Sequence, residues 1–91
     1  MKHNIYFDGK VQSLGLNTEH GEATIGVIIP GKYSFSTSSE ERMVITSGIL
    51  NVKLPGAEWK MFKGNEEFKV PANASFDVEA DQDVSYICYY K

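Results

Sequence analysis

Polar and apolar side chains alternate along most of this chain, and nowhere do apolar residues keep up a spacing of three and four with caps at both ends. The cleanest run sets Phe76, Val78 and Ala80 against Asp77 and Glu79. Lys32 to Thr37 behaves alike, with Tyr33, Phe35 and Thr37 on one face and Lys32, Ser34 and Ser36 on the other. Period-two alternation predicts half-buried strands. Phe68 and Val70 around Lys69, and Trp59 and Met61 around Lys60, predict two more, and Val11 to Leu16 predicts a short one. Ala23 to Ile29 is continuously apolar and rich in β-branched residues, which predicts a strand buried on both faces. Val84 to Tyr90 is apolar or aromatic on both faces. Met43 to Leu54 is extended and broken at Gly48. Between these runs lie turn signals: Asp8-Gly9, Pro30-Gly31, Pro55-Gly56, Lys63-Gly64-Asn65, Pro71 to Ser75 and Asp81-Gln82-Asp83. Asn17 to Glu22 and Ser38 to Arg42 read as polar loops. Many short strands with turns between them predict an all-β sandwich or barrel.

A length of 91 residues predicts one domain, residues 1–91. A net charge of −3 without a basic cluster argues against nucleic-acid binding. No apolar run approaches the ~20 residues that span a membrane. The first ten residues carry no signal-peptide core, and Cys88 is the only cysteine, so it forms no internal disulfide. A cytoplasmic location is the expectation.

Catalytic motifs are scarce. His3 and His20 have no other His or Cys near them in sequence, so no metal site is expected. Cys88 reads as a small core residue, since nothing in sequence lowers its pKa. Walker loops, nucleophile elbows and dinucleotide fingerprints are absent. What remains is a hydroxyl-rich bend, Ser36, Thr37, Ser38 and Ser39, followed by Glu41 and Arg42. Hydroxyls, backbone N–H groups and a guanidinium suit an oxyanion such as phosphate; a solvated loop would look the same.

The spacing from Glu41 through RMVITS to Gly48 resembles the end of the first cupin motif, in which a His-x-His pair and a glutamate bind metal. Phe35 and Thr37 stand where the histidines would be. Gly64 to Phe76 resembles the second motif, with Pro71 kept, Asn73 in place of a glycine and Phe76 in place of the last histidine. The resemblance implies a small single-domain cupin-like β-barrel (an RmlC-like jelly roll) that has lost its metal.

Across nearly the whole chain, YFDGKVQSLG, GKYSFSTSSEERMVITSGILNVKLPG, FKVPANASFDV and SYICYY resemble the small cupin-type pyrimidine/purine nucleoside phosphorylases. That resemblance implies a pentosyltransferase acting on nucleosides of broad base type, with inorganic phosphate as co-substrate and no cofactor. It makes Glu41 and Thr37 the candidate catalytic residues. Tyr33, Phe35, Ser36, Ser38, Arg42, Trp59, Asn73, Phe76 and Tyr86 are the candidate substrate contacts. Some members carry arginine near positions 22 and 89, where this chain has Glu22 and Tyr89, so Arg42 or Lys53 is expected to replace them at phosphate. The two apolar faces of Val84 to Tyr90 suggest a homodimer. The alternative reading is a non-catalytic cupin that binds a small ligand.

Overall fold

The computed structural model describes residues Met1–Lys91. Ten strands follow one another: β1 (His3–Tyr6), β2 (Val11–Thr18), β3 (Gly21–Ile28), β4 (Gly31–Ser36), β5 (Glu41–Ser47), β6 (Ile49–Lys53), β7 (Trp59–Lys63), β8 (Glu67–Val70), β9 (Ser75–Ala80) and β10 (Val84–Tyr90). The only helical element is a three-residue 3₁₀ turn, Phe7–Gly9. No helix is long and apolar enough to cross a membrane.

The strands form two antiparallel sheets, one of six strands ordered β1-β2-β3-β10-β5-β8 and one of four ordered β4-β9-β6-β7. They face each other across one core of Val11, Ile28, Ile45, Leu50, Val52, Val78, Val84 and their neighbours. The architecture is the cupin jelly roll, with two facing sheets in place of a fully closed barrel.

Gly48 shows why the motif spacing matters. It joins β5 of one sheet to β6 of the other with φ +87°, and an added Cβ would lie 2.6 Å from the Asp83 carbonyl. Only glycine takes this corner without strain. The chain therefore changes sheets there, seven positions after Glu41 has entered β5.

Four expectations change. The expected polar loop over Ser38 to Arg42 ends at Glu40, since Glu41 and Arg42 already belong to β5 and pair with Tyr90 and Tyr89. β3 is not buried on both faces: Thr24, Gly26 and Ile28 share the inward face, while on the other face Ile25 and Val27 are exposed and only Ala23 is buried. The apolar run misled because the outer face of the six-stranded sheet is itself apolar. The expected loop over Asn17 to Glu22 shrinks to Glu19-His20, since β2 and β3 pair directly as far as Thr18 and Gly21. In β7 the buried residue is Phe62, and Trp59, Lys60 and Met61 are exposed.

Candidate functional site

At one end of the jelly roll β4 stops at Ser36, β5 starts at Glu41 and β10 stops at Tyr90. Between them lies an inner pocket of about 100 Å³, walled by Tyr6, Phe35, Phe76, Tyr86, Met43 and Cys88, with Ser13, Ser36, Glu41 and Tyr90 adding polar atoms. Outside it opens a cleft of about 850 Å³ whose lining includes Lys2, Asn17, Glu22, Thr24, Ser38 and Ser39. Tyr6, Ser36, Glu41 and Tyr90 line both, so they stand at the boundary.

Strand parity explains the inner wall. Met43 and Ile45 point into the core and so set Glu41 on the same side of β5. Tyr86 and Cys88 do likewise on β10, which pairs with β5 at Cys88–Met43 and Tyr86–Ile45. Gly26 on the adjacent β3 pairs with Tyr86, and a Cβ there would overlap the Tyr86 ring and hydroxyl. That glycine is what lets the tyrosine lie flat over the sheet. Opposite, the Phe35 and Phe76 rings stack with centroids 5.7 Å apart, and Tyr6 and Phe7 meet Phe35 edge-on at 6.2 and 5.4 Å. These aromatic contacts bridge β1 and the Phe7–Gly9 turn to β4, across the seam between the sheets.

Glu41 is half-buried and has no ion-pair partner, because Arg42 pairs with Glu67 and Lys91 with Glu40. Burial raises its pKa above the ordinary value of 4.5, against a smaller opposing effect from the Cys88 thiol, which donates to Oε1 at 3.4 Å. Burial also pushes the Tyr86 and Tyr90 phenols and the Cys88 thiol far up, so all three stay neutral at neutral pH. The Tyr90 hydroxyl shares a hydrogen bond with Thr24 at 3.0 Å. Glu41 is thus the one titratable carboxylate set among neutral donors and aromatic rings. A carboxylate so placed can stabilise a developing positive charge beside it.

The structure gathers some sequence candidates and disperses others. Glu41, Phe35, Ser36, Phe76 and Tyr86 meet at the inner pocket, and Ser38 lines the cleft. Thr37 lines neither. It is buried, its hydroxyl donates to the Pro71 carbonyl at 2.6 Å and accepts from the Ala74 N–H at 3.1 Å, and its own N–H bonds the Ala74 carbonyl. Its hydroxyl proton is committed to the Pro71–Ala74 loop and is not free for phosphate. Asn73 lies in that loop at φ +56°, a left-handed conformation that asparagine tolerates, and donates its N–H to the Thr37 carbonyl. Its place in the motif is a turn position.

Tyr33 is a core residue whose hydroxyl donates to the Ile29 carbonyl at 2.9 Å. Trp59 is on the outer face of the four-stranded sheet, under the Lys32 ammonium at 5.2 Å, because Phe62 fixes the opposite parity in β7. Arg42 turns outward and lies over the Tyr89 ring at 4.3 Å. Lys53 follows buried Val52 in β6 and faces outward beside Asp77 and Trp59 in the sheet register. Neither cation lines the pocket or the cleft. His3 hydrogen-bonds Gln12, and His20 sits beside Glu19, both exposed. No three His, Cys, Asp or Glu side chains come together as a metal-ligand group.

Sequence reasoning missed Tyr6, Ser13, Met43, Cys88 and Tyr90 as pocket residues. For the last two a signal existed. Tyr86, Cys88 and Tyr90 share a parity, so a pocket containing Tyr86 at a strand end extends naturally to the other two. Tyr6 gave no signal, since its position depends on how an edge strand packs across a seam.

Two facing antiparallel sheets with a pocket at one end, entered by a Glu-x₆-Gly strand, define a small cupin. A solved RmlC-like cupin from Shewanella frigidimarina has the same fold, at TM-score 0.76 and 14% identity over 96% of this chain and 79% of that one. A family model described as pyrimidine/purine nucleoside phosphorylase matches residues 1–90, and this chain belongs to that enzyme family. A relative from Hahella chejuensis named pyrimidine/purine nucleoside phosphorylase is 46% identical, over 99% of this chain and 98% of its own. A crystal structure of a Vibrio parahaemolyticus protein of unknown function superposes with TM-score 0.94 at 40% identity, over 99% of this chain and 97% of that one.

Proposed function

We propose that the protein catalyses reversible phosphorolysis of nucleosides, with tolerance for purine and pyrimidine bases. The C1′–N bond of a nucleoside breaks, a C1′–O bond to phosphate forms, and the products are ribose 1-phosphate and the free base. The base leaves with the bonding pair and takes up a proton. One observation carries this reading within its family: Glu41 stands at the junction of an aromatic pocket and a hydroxyl-lined cleft.

The roles follow from chemistry. Tyr6, Phe35, Phe76 and Tyr86 offer flat faces to a base or a sugar, and stacking on rings is indifferent to base identity. Ser36, Ser38 and Ser39 offer hydroxyls to phosphate on the solvent side. Glu41, ionised, stabilises the positive charge that develops on the ribosyl carbon and accepts hydrogen bonds from ribose hydroxyls. The reaction needs no cofactor, so dialysis against EDTA leaves turnover unchanged; activity lost and then restored by zinc or manganese overturns this.

The test is to incubate the protein with uridine, adenosine and guanosine, with and without phosphate, and to assay free base. Phosphate-dependent release is expected. Tight nucleoside binding without release would favour the non-catalytic cupin. We place the reaction in the cytoplasm, where nucleosides and phosphate are both at hand.

We further propose that the protein works as a homodimer through the outer face of the six-stranded sheet. The register lines Leu14, Ile25, Ile87 and Val44 into one row across β2, β3, β10 and β5. Leu14 and Ile25 are exposed, and with Val27 and Ile29 they line a concavity of about 490 Å³. Such a patch suits self-complementary pairing about a twofold axis. Light scattering should report a dimer for wild type and a monomer for Ile25→Glu; a wild-type monomer at micromolar concentration removes the claim.

A further inference from the structure

Phosphate is an anion, and the cleft proposed to hold it contains the carboxylates of Glu22 and Glu41. Hydroxyls alone do not offset two carboxylates, so a cation is needed. Of the chain's 9 lysine and arginine residues, only Lys2 lines the cleft. The others are engaged or placed elsewhere. Arg42 is paired with Glu67 and stacked on Tyr89, Lys91 is paired with Glu40, and the ammonium groups of Lys32 and Lys60 lie over Trp59 and Phe62. Lys2 makes no ion pair with any carboxylate.

Lys2 is also seated, although it lies before the first strand. Its carbonyl accepts the Gly15 N–H at 2.7 Å, extending the β1–β2 ladder. Its Cβ lies over Gly15, where an added Cβ would come within 3.3 Å of it. The absence of a side chain at Gly15 thus leaves room for the lysine stem at the cleft edge.

We propose that Lys2 is the cation that holds the phosphate co-substrate in the outer cleft, whose lining it shares with Ser36, Ser38 and Ser39. The assignment of phosphate to this cleft rests on the phosphorolysis reading; the choice of Lys2 rests on its position. It takes over the task that Arg42 and Lys53, facing outward, do not perform. Glu22 acts against it, so its charge weakens phosphate binding.

The test uses four variants of the full-length chain: Lys2→Gln, Lys2→Arg, Glu22→Gln and, as a control for overall charge, Lys69→Gln on β8. Two quantities are read, KM for phosphate with nucleoside saturating, and binding of inorganic phosphate alone by calorimetry. Loss of one charge-assisted contact should raise KM and Kd for phosphate about tenfold in Lys2→Gln. KM for nucleoside and the melting temperature should hold. Lys2→Arg should restore most of the affinity, Glu22→Gln should tighten it, and Lys69→Gln should change neither quantity. Equal phosphate affinity in wild type and Lys2→Gln overturns the proposal, as does an equal loss in Lys69→Gln or no phosphate binding by wild type. If wild type binds phosphate through Lys2 yet releases no base, the site stands and the phosphorolysis reading fails.

Discussion

The inner pocket and the outer cleft share Glu41 but are built by different means. The inner pocket is made by strands. Phe35, Phe76, Met43, Tyr86 and Cys88 occupy alternate positions whose direction is set by the core below them. The outer cleft is made at strand ends and in connections: Lys2 before β1, Asn17 near the β2–β3 turn, and Ser38 and Ser39 between β4 and β5. Rigid geometry on one side and adaptable polar groups on the other suit a reaction in which a flat leaving group must be held in line and a small symmetric anion brought to it. The contrast teaches that substitutions on the two sides should fail differently: those inside by geometry and turnover, those outside by phosphate affinity.

Effects of a hundredfold or more are expected first from filling the space that Gly26 leaves. Gly26→Val drives a side chain into the Tyr86 ring. Misplacing the wall by an ångström should lower kcat by about a hundredfold or more. Circular dichroism should still show an all-β protein, because Gly26 is on one strand among ten. Full activity would mean that the inner wall is not part of the site.

Glu41→Gln comes next, at about 10²–10³ in kcat, the loss expected for one preorganised stabilising group. The effect on stability has the opposite sign. Burial raises the folded-state pKa of Glu41 above 4.5. The folded protein therefore holds this proton more tightly than the unfolded chain does. Its stabilising contribution is complete at low pH and is lost as pH rises from the unfolded value through the folded one. At neutral pH Glu41→Gln should melt at or above the wild-type temperature while turning over slowly. The acid limb of wild-type kcat/KM should fall at a pH above 4.5, since the role proposed for Glu41 needs its ionised form, and Glu41→Gln should lack that limb.

A smaller effect separates Thr37 from the chemistry. Thr37→Ala leaves the Pro71 carbonyl and the Ala74 N–H without their partner. It should destabilise the fold by ~1–3 kcal/mol, read from denaturant midpoints, with KM for phosphate and nucleoside rising together if at all. A selective rise in KM for phosphate would return Thr37 to the site. Ser38→Ala should do least: about a fivefold rise in KM for phosphate with kcat held, the weight of one ordinary hydrogen bond.

The strands were legible because period-two patterning is a direct consequence of burying one face of a sheet. The turn at Gly48 was legible because positive φ and close backbone contact leave glycine few substitutes. Which face is buried was legible only where alternation was clean, as in β9, whose Phe76, Val78 and Ala80 are all buried. It failed for β7, where Trp59 and Phe62 are both large and apolar and tertiary packing alone decides between them. It failed for β3, where an apolar outer face imitates a second core face. The site followed the same division. Of the residues that line the inner pocket, Glu41, Phe35 and Phe76 came from motif spacing and Tyr86 from its residue type. Thr37 lies just past the end of β4, and its hydroxyl is taken by a loop 34 residues away, a long-range pairing that no local pattern encodes.

The central claim is that phosphate, not water, takes the ribosyl group beside Glu41. Phosphorus-31 NMR of wild-type protein with uridine and inorganic phosphate measures this directly, with uracil assayed in the same tube. A new phosphate monoester signal should grow one-for-one with free uracil, and Glu41→Gln should slow both together by about 10²–10³. Uracil appearing without phosphate consumption, or a Glu41→Gln rate equal to wild type, would contradict the account.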